Sequence, residues 1–388
     1  MRAQVAPATP ADLRFSFESL LGHHATLVTR LMVTRLRNDV DLVEAANQAL
    51  VLNTDDLGAL VASVHGDAAG EQFKALWVRH TDLLFDYTRA VAEDDAAARD
   101  QARTALDQYR SEYGAFVESA TGGQIPAADA AENLRHHLDQ LMGFADAYHA
   151  GDYDRAFSLE REAFAHMFPT GRALAGGLVN HPGELPVAVD DPAQQLRSSL
   201  GLLLGEHFEL AVDAMRSAVV GSPDFGGAAA ALDANKTDLT GAIDSLVGAA
   251  GAQQFNQAWA THIDLLVSYS LAVADQDQAA QDRARQQLAV ARRDIATSFS
   301  ALTGGALTVE AATEALGPHD QHLVDQLDAY ARHDYQRSHE VAFEGYQHMM
   351  QTASAVAPAV EAFLSGRAPV GGAQTGGGGL AREHPEGS

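Results

Sequence analysis

Leu20-Leu21-Gly22-His23-His24 returns as Leu203-Leu204-Gly205-Glu206-His207, 183 positions later. After the loss of one residue the offset becomes 182, and Phe73-x3-Trp77-x2-His80-x-Asp82-Leu83-Leu84-x2-Tyr87 matches Phe255-x3-Trp259-x2-His262-x-Asp264-Leu265-Leu266-x2-Tyr269. Asp146-Ala147-Tyr148-x3-Asp152-Tyr153 matches Asp328-Ala329-Tyr330-x3-Asp334-Tyr335, and Glu162-x3-His166-Met167 matches Glu344-x3-His348-Met349. The chain is therefore one unit written twice. The unit is too long for a solenoid repeat, so each copy is expected to be a domain in its own right.

Within each copy the apolar residues recur every three to four positions, as in Leu20, Leu21, Leu27, Val28, Leu31 and in Phe73, Trp77, Leu84, Tyr87, Val91. That period is helical, and no alternating β-branched run interrupts it. The breaks predict helices over 11–37, 54–64, 68–93, 96–119, 126–149 and 152–176, with Asp152 and Asp334 as helix N-caps. The expected fold is all-α, a tandem duplication of an up-down, four-helix-type bundle. Residues 1–10 read as a flexible N-terminus, 11–176 as the first bundle, 177–193 as a Pro- and Gly-bearing linker, 194–365 as the second bundle, and 366–388 as a disordered glycine-rich tail.

Composition narrows the function. The 388 residues carry 26 Lys plus Arg against 52 Asp plus Glu, a net charge of −26. Such a field repels phosphate and attracts cations, which argues against nucleic acid and anionic membranes as partners. No cysteine is present, so disulfides, thiolate nucleophiles and Cys-ligated metals are excluded. No apolar run is long enough to span a membrane. The opening Met1-Arg2-Ala3-Gln4-Val5-Ala6-Pro7-Ala8-Thr9-Pro10 resembles the stretch that follows a cleaved signal, so an exported protein without its leader is expected. Nucleotide-binding glycine loops, the Gly-x-Ser-x-Gly elbow and His-Glu-x-x-His do not occur, and binding is a better expectation than catalysis.

The histidines carry the functional argument. Of 17, eight form four repeat-related pairs: His24/His207, His80/His262, His137/His319 and His166/His348. Those that lack a repeat partner, among them His23, His65, His136, His149 and His181, are expected at the surface. In an up-down bundle His80, His137 and His166 lie 14 or 15 residues from turns at one end, a depth of about 21 Å at 1.5 Å per residue. His24 falls at a similar depth. Four imidazoles at one height, twice over, predict one metal site per copy.

Glu162 and Glu344, one turn before His166 and His348, are candidate fifth ligands or imidazole partners. Met32, Met215, Met167 and Met349 are possible soft ligands. Four neutral imidazoles suit copper or zinc, and the methionines tilt the choice towards copper. Two alternatives stay open. Two facing imidazoles could ligate haem b, with Gly22 and Gly205 leaving a slot for the ring. The histidines could also form a structural hydrogen-bond network with Glu162 and Asp82 in a non-catalytic interaction or scaffold module. Trp77/Trp259, Tyr148/Tyr330 and Tyr153/Tyr335 read as core and hairpin residues rather than cofactor contacts.

The block Leu203-Leu204-Gly205-Glu206-His207-x-x-Leu210-Ala211-x-x-Ala214-Met215, the Trp77-x-x-His80-x-Asp82 segment and the hairpin Gly151-Asp152-Tyr153-Asp154-Arg155 resemble a family of helical, exported bacterial proteins. Some of its members carry a copper amine oxidase label. That enzyme class has a β-rich catalytic domain and a tyrosine in an Asn-Tyr-Asp/Glu context, and this sequence has neither. The resemblance implies a helical fold and export only.

Overall fold

A computed structural model describes residues 7, 9–179 and 189–367; the expected linker falls partly, and the glycine-rich tail almost wholly, outside them, as does His181. The first copy is α1(Pro10–Leu36), α2(Val40–His65), α3(Asp67–Ala92), α4(Ala96–Ala120), α5(Ala127–His149) and α6(Tyr153–Val179). The second repeats it as α7(Pro192–Val219), α8(Phe225–Val247), α9(Ala249–Ala274), α10(Gln278–Leu302), α11(Val309–Ala331) and α12(Tyr335–Arg367). The described residues form no strand, and the fold is all-α.

Local chemistry sets the boundaries. Thr9 accepts from the Asp12 amide and Asp191 from the Gln194 amide, each ahead of a proline in the first turn. Asp95 and Asp277 cap α4 and α10 in the same way. Asp152 and Asp334 accept from the Arg155 and Arg337 amides, as their positions predict. The tight α2–α3 and α8–α9 corners need Gly66 and Gly248, both at φ 84°, a conformation costly for any residue with a Cβ.

One element differs from expectation. Residues 40–53, read as part of a loop, belong to α2, whose inward stripe is Leu42, Ala45, Ala46, Ala49, Leu50 and Asn53. Alanine contributes little to a hydrophobic period, so the stripe is faint in sequence although the helix is well formed.

Helix α1 runs at the centre of the first copy, against α2, α3, α5 and α6, and α7 lies likewise against α8, α9, α11 and α12. Helix α1 crosses α6 closely, so that a Cβ at Gly171 would stand 2.6 Å from the Glu18 backbone nitrogen and 2.9 Å from its Cα. Gly171→Ala is therefore expected to force the two helices apart and to cost about 1–3 kcal/mol. Gly241→Ala on α8, where a Cβ meets nothing within 4 Å, should be neutral or stabilising. Urea midpoints of the two variants check the contrast.

The tyrosines and aspartates that both copies retain near the hairpins are structural. Tyr87 Oη donates to Asp146, which Arg99 and Arg103 also reach, and the second copy repeats this with Tyr269, Asp328 and Arg285. Tyr148 and Tyr153 meet edge to face at 5.1 Å, and Tyr330 and Tyr335 at 5.3 Å.

The two copies share side chains. Phe15, Phe157, Phe164 and Phe168 of the first enter the core of the second, and Phe343 of the second enters the core of the first. The interface has the reciprocity of a two-fold contact. Phe164 meets its own counterpart Tyr346, ring centroids 6.4 Å apart. Arg161 pairs with Glu206 at 3.0 Å, and their counterparts Phe343 and His23 meet with tilted rings 4.7 Å apart. Arg30 grips its own counterpart Asp213 through two bonds of 2.7 and 3.1 Å.

Candidate metal centres

Helices α1, α3 and α5 touch one another, and each sends one histidine to their common axis. His24, His80 and His137 are at most 1% exposed, with one ring nitrogen from each within 4.8 Å of the others. In the second copy α7, α9 and α11 gather His207, His262 and His319 within the same limit. Three of the four retained histidines in each copy thus come together at one depth.

The geometry within each group is tight. Nε2 of His24 stands 3.2 Å from Nε2 of His80, and Nε2 of His319 stands 3.3 Å from Nε2 of His262. Two imidazole nitrogens bound to one tetrahedral zinc ion at 2.0–2.1 Å are roughly 3.3 Å apart. A retained tryptophan closes each group: Trp77 lies 4.7 Å from His24 and Trp259 4.6 Å from His207, between ring centroids. These indoles, read from sequence as core residues, therefore also form walls of the histidine groups. Their spacing of three before His80 and His262 was the available signal.

All six imidazoles are neutral near pH 7. Burial pushes His80 down to about 3 and His262 down to about 4. His24, His137, His207 and His319 are held well below 6.5 by burial first and then by the neighbouring imidazoles. Neutral imidazole is the form that ligates metals.

Proton bookkeeping leaves several nitrogens stranded. The Trp77 indole donates to Nδ1 of His24 at 3.3 Å, so neutral His24 keeps its proton on Nε2 and donates it to His80. Both nitrogens of His137, both of His207 and the Trp259 N–H have no hydrogen-bond partner. Each such buried group costs about 1–3 kcal/mol. An ion held by one nitrogen from each ring of a triad would take up one lone pair per ring, so the donor set fits a transition metal.

The two centres are not identical. Asp320 Oδ1 stands 3.6 Å from His262 Nδ1, with Arg292 at 3.4 Å from its other oxygen. Burial pushes the Asp320 carboxyl up to about 7. Leu138 holds this place in the first copy, and the lack of a repeat partner hid Asp320 from the sequence reading.

The remaining candidates lie apart from the triads. His166 and His348 are turned to backbone carbonyls, of Asn133 at 3.2 Å and Ala315 at 3.0 Å. Both sit at the edge of the buried stripe, where a side chain reaches the neighbouring helix before the axis. Glu162 is exposed and bonded to Arg155 and Ser158, and neither Glu162 nor Glu344 belongs to a triad. Glu162 sits on the outward side of its helix, which puts its carboxylate in water rather than in the core, and Glu344 is half-buried. Asp82 is likewise exposed.

Met32 and Met215 lie eight residues beyond His24 and His207, about 12 Å further along the helix. With Met167 and Met349 they fill the apolar cores. Gly22 and Gly205 leave no slot, because a Cβ there would meet Phe168 at 3.1 Å and Met350 at 2.5 Å. His23, expected at the surface, is 2% exposed. It stacks on Tyr346 at 4.2 Å and faces Glu209. Its repeat counterpart is Glu206, so the register gave no sign of burial.

No protein-family model, curated protein or solved structure matches this chain. The assignment therefore rests on the geometry alone. No helix among the described residues is long and apolar enough to cross a membrane.

Proposed function

We propose that this protein binds two transition-metal ions, copper or zinc, one in each buried histidine triad, for storage, sequestration or sensing. The observation that carries the reading is the convergence of three neutral, fully buried imidazoles in both copies. Three imidazoles leave a fourth coordination position, which trigonal copper(I) does not need and zinc fills with a small ligand. Sealing the ion inside a helical core favours holding it over turning over a substrate. In the second copy the proton shared between Nε2 of His262 and Nε2 of His319 moves to an Nδ1 that has no hydrogen-bond partner, and no further bond is broken. In the first, coordination through His24 Nε2 moves the ring proton to Nδ1 and displaces the Trp77 N–H.

The test is metal content. Purified full-length protein, stripped with chelator, loaded with Cu or Zn and desalted, is expected to retain about two ions per chain. His80→Ala with His262→Ala should lose both while keeping its helical circular dichroism. Wild-type protein that retains no ion after either loading would sink the proposal.

One observation favours a second reading. The chain Trp77–His24–His80 is a continuous run of hydrogen bonds, as a purely structural network in an interaction or scaffold module would have. That reading expects no retained metal and a protein ligand recovered by pull-down.

A further inference from the structure

His166 and His348 occupy equivalent places in the two copies yet stay out of the triads, and their surroundings give them a use. Each donates its Nε2–H to a backbone carbonyl of the preceding helix, Asn133 at 3.2 Å and Ala315 at 3.0 Å. The donation fixes the tautomer, so Nδ1 carries the lone pair. Metal-ligating histidines are oriented in this way, by a carbonyl or carboxylate on the far ring nitrogen.

A second imidazole stands beside each of them. The His136 ring centroid is 6.3 Å from that of His166, and the His322 centroid is 5.9 Å from that of His348. Two imidazoles on one ion, with metal–nitrogen bonds of 2.0–2.1 Å, have centroids roughly 5–6.4 Å apart. The added histidines are not repeat-related. Pro318 is the counterpart of His136, and Gln140 that of His322. A clamp between helices explains the carbonyl bonds of His166 and His348, but not why each copy supplies its own second imidazole from a different turn of α5 or α11.

The polar surroundings are mixed but accessible. Glu132 Oε1 and Arg135 Nη2 each lie 3.4 Å from His136 Nε2. His322 Nδ1 has no hydrogen-bond partner, and Glu344, Asp325 and Arg337 all act on its charge. His136 is exposed, while His166, His322 and His348 are partly so. They lie next to the buried groups: His136 directly precedes His137 on α5, and His322 follows His319 by three residues, one helical turn, on α11.

We propose that His136 with His166, and His322 with His348, form two outer sites for a divalent transition ion, and that these are the ports through which the buried triads fill. The port role rests on the triads being metal sites; the outer sites themselves do not.

Zinc titration of the stripped full chain tests both. Wild-type protein is expected to take two ions tightly and two more weakly. His136→Ala with His322→Ala, which leaves both carbonyl bonds in place, should lose the two weak ions and keep the two tight ones. It should also fill the tight sites at least tenfold more slowly in a stopped-flow competition with a chromophoric chelator. His166→Ala with His348→Ala should behave alike. A His136/His322 variant that titrates and fills like wild type overturns the inference, as does wild-type protein with no weak ions. Two weak ions lost in that variant, with no tight ions in wild type, would uphold the outer sites and remove the triad reading and the port role.

Discussion

Replacing Arg30 with alanine is expected to destabilise the protein by about 3–5 kcal/mol, the cost of breaking a buried ion pair from one side. Arg30 is 8% exposed and holds Asp213 through two bonds, the Glu209 carbonyl at 2.7 Å, and the Glu209 carboxylate. Glu209 is fully buried, and burial pushes its carboxyl up to about 7 even with Arg30 pulling it down. Burial likewise holds Glu160 well above its ordinary range, with Asp213 adding to the rise and Arg30 opposing it. Without the guanidinium these acids stay in the core with little to offset their charge. The cost should shrink as the pH falls from 8 towards 5, because protonation then neutralises them. Denaturant unfolding at both pH values measures it, and equal losses at the two would contradict this account.

Acid should unfold the metal-free protein by about pH 4. Six triad imidazoles have folded pKa values far below 6.5. Between 6.5 and those values the unfolded chain binds protons that the folded chain refuses. Stability is therefore present above pH 6.5 and is lost as the pH falls, by up to about 1.4 kcal/mol per pH unit for each imidazole. Glu209 and Asp320, both pushed up to about 7, and Glu18, Glu160 and Glu206, also raised by burial, act in the opposite sense and add stability as the pH falls to the ordinary carboxylate range. Burial also lowers His166, His322 and His339, so nine imidazoles oppose five acids, whose contribution ends where the unfolded acids protonate. Bound metal competes with the protons and should move the midpoint to lower pH. Circular dichroism from pH 7 to 3, with and without zinc, reads both effects. A cooperative thermal transition surviving at pH 3 without metal would refute the argument.

The duplication, the helical class and the three inward histidines of each copy are legible because repetition removes coincidence. A stripe seen once is ambiguous, but His80 and His262 on matching stripes with matching distances to a turn fix their own depth. The same method fails where the copies differ. His23, Arg30 and Asp320 have Glu206, Asp213 and Leu138 at the equivalent places, so the register gives them no partner although all three are buried. His166 shows the opposite failure. Its retention signals a constraint, but linear spacing does not separate a residue facing the axis from one a fraction of a turn away, bonded to the next helix. The alanine-rich stripe of α2 is lost for want of contrast.

The pairing of Arg30 with Asp213 bears on how such a chain came to be. In a symmetric dimer of single-copy ancestors, the same residue would have met itself across the axis, arginine on arginine or aspartate on aspartate. Only after duplication could the two positions take opposite signs, and His23 and Glu206 diverge with their partners. Each half has thereby become the specific mate of the other, and a liberated half would find its own twin electrostatically unwelcome.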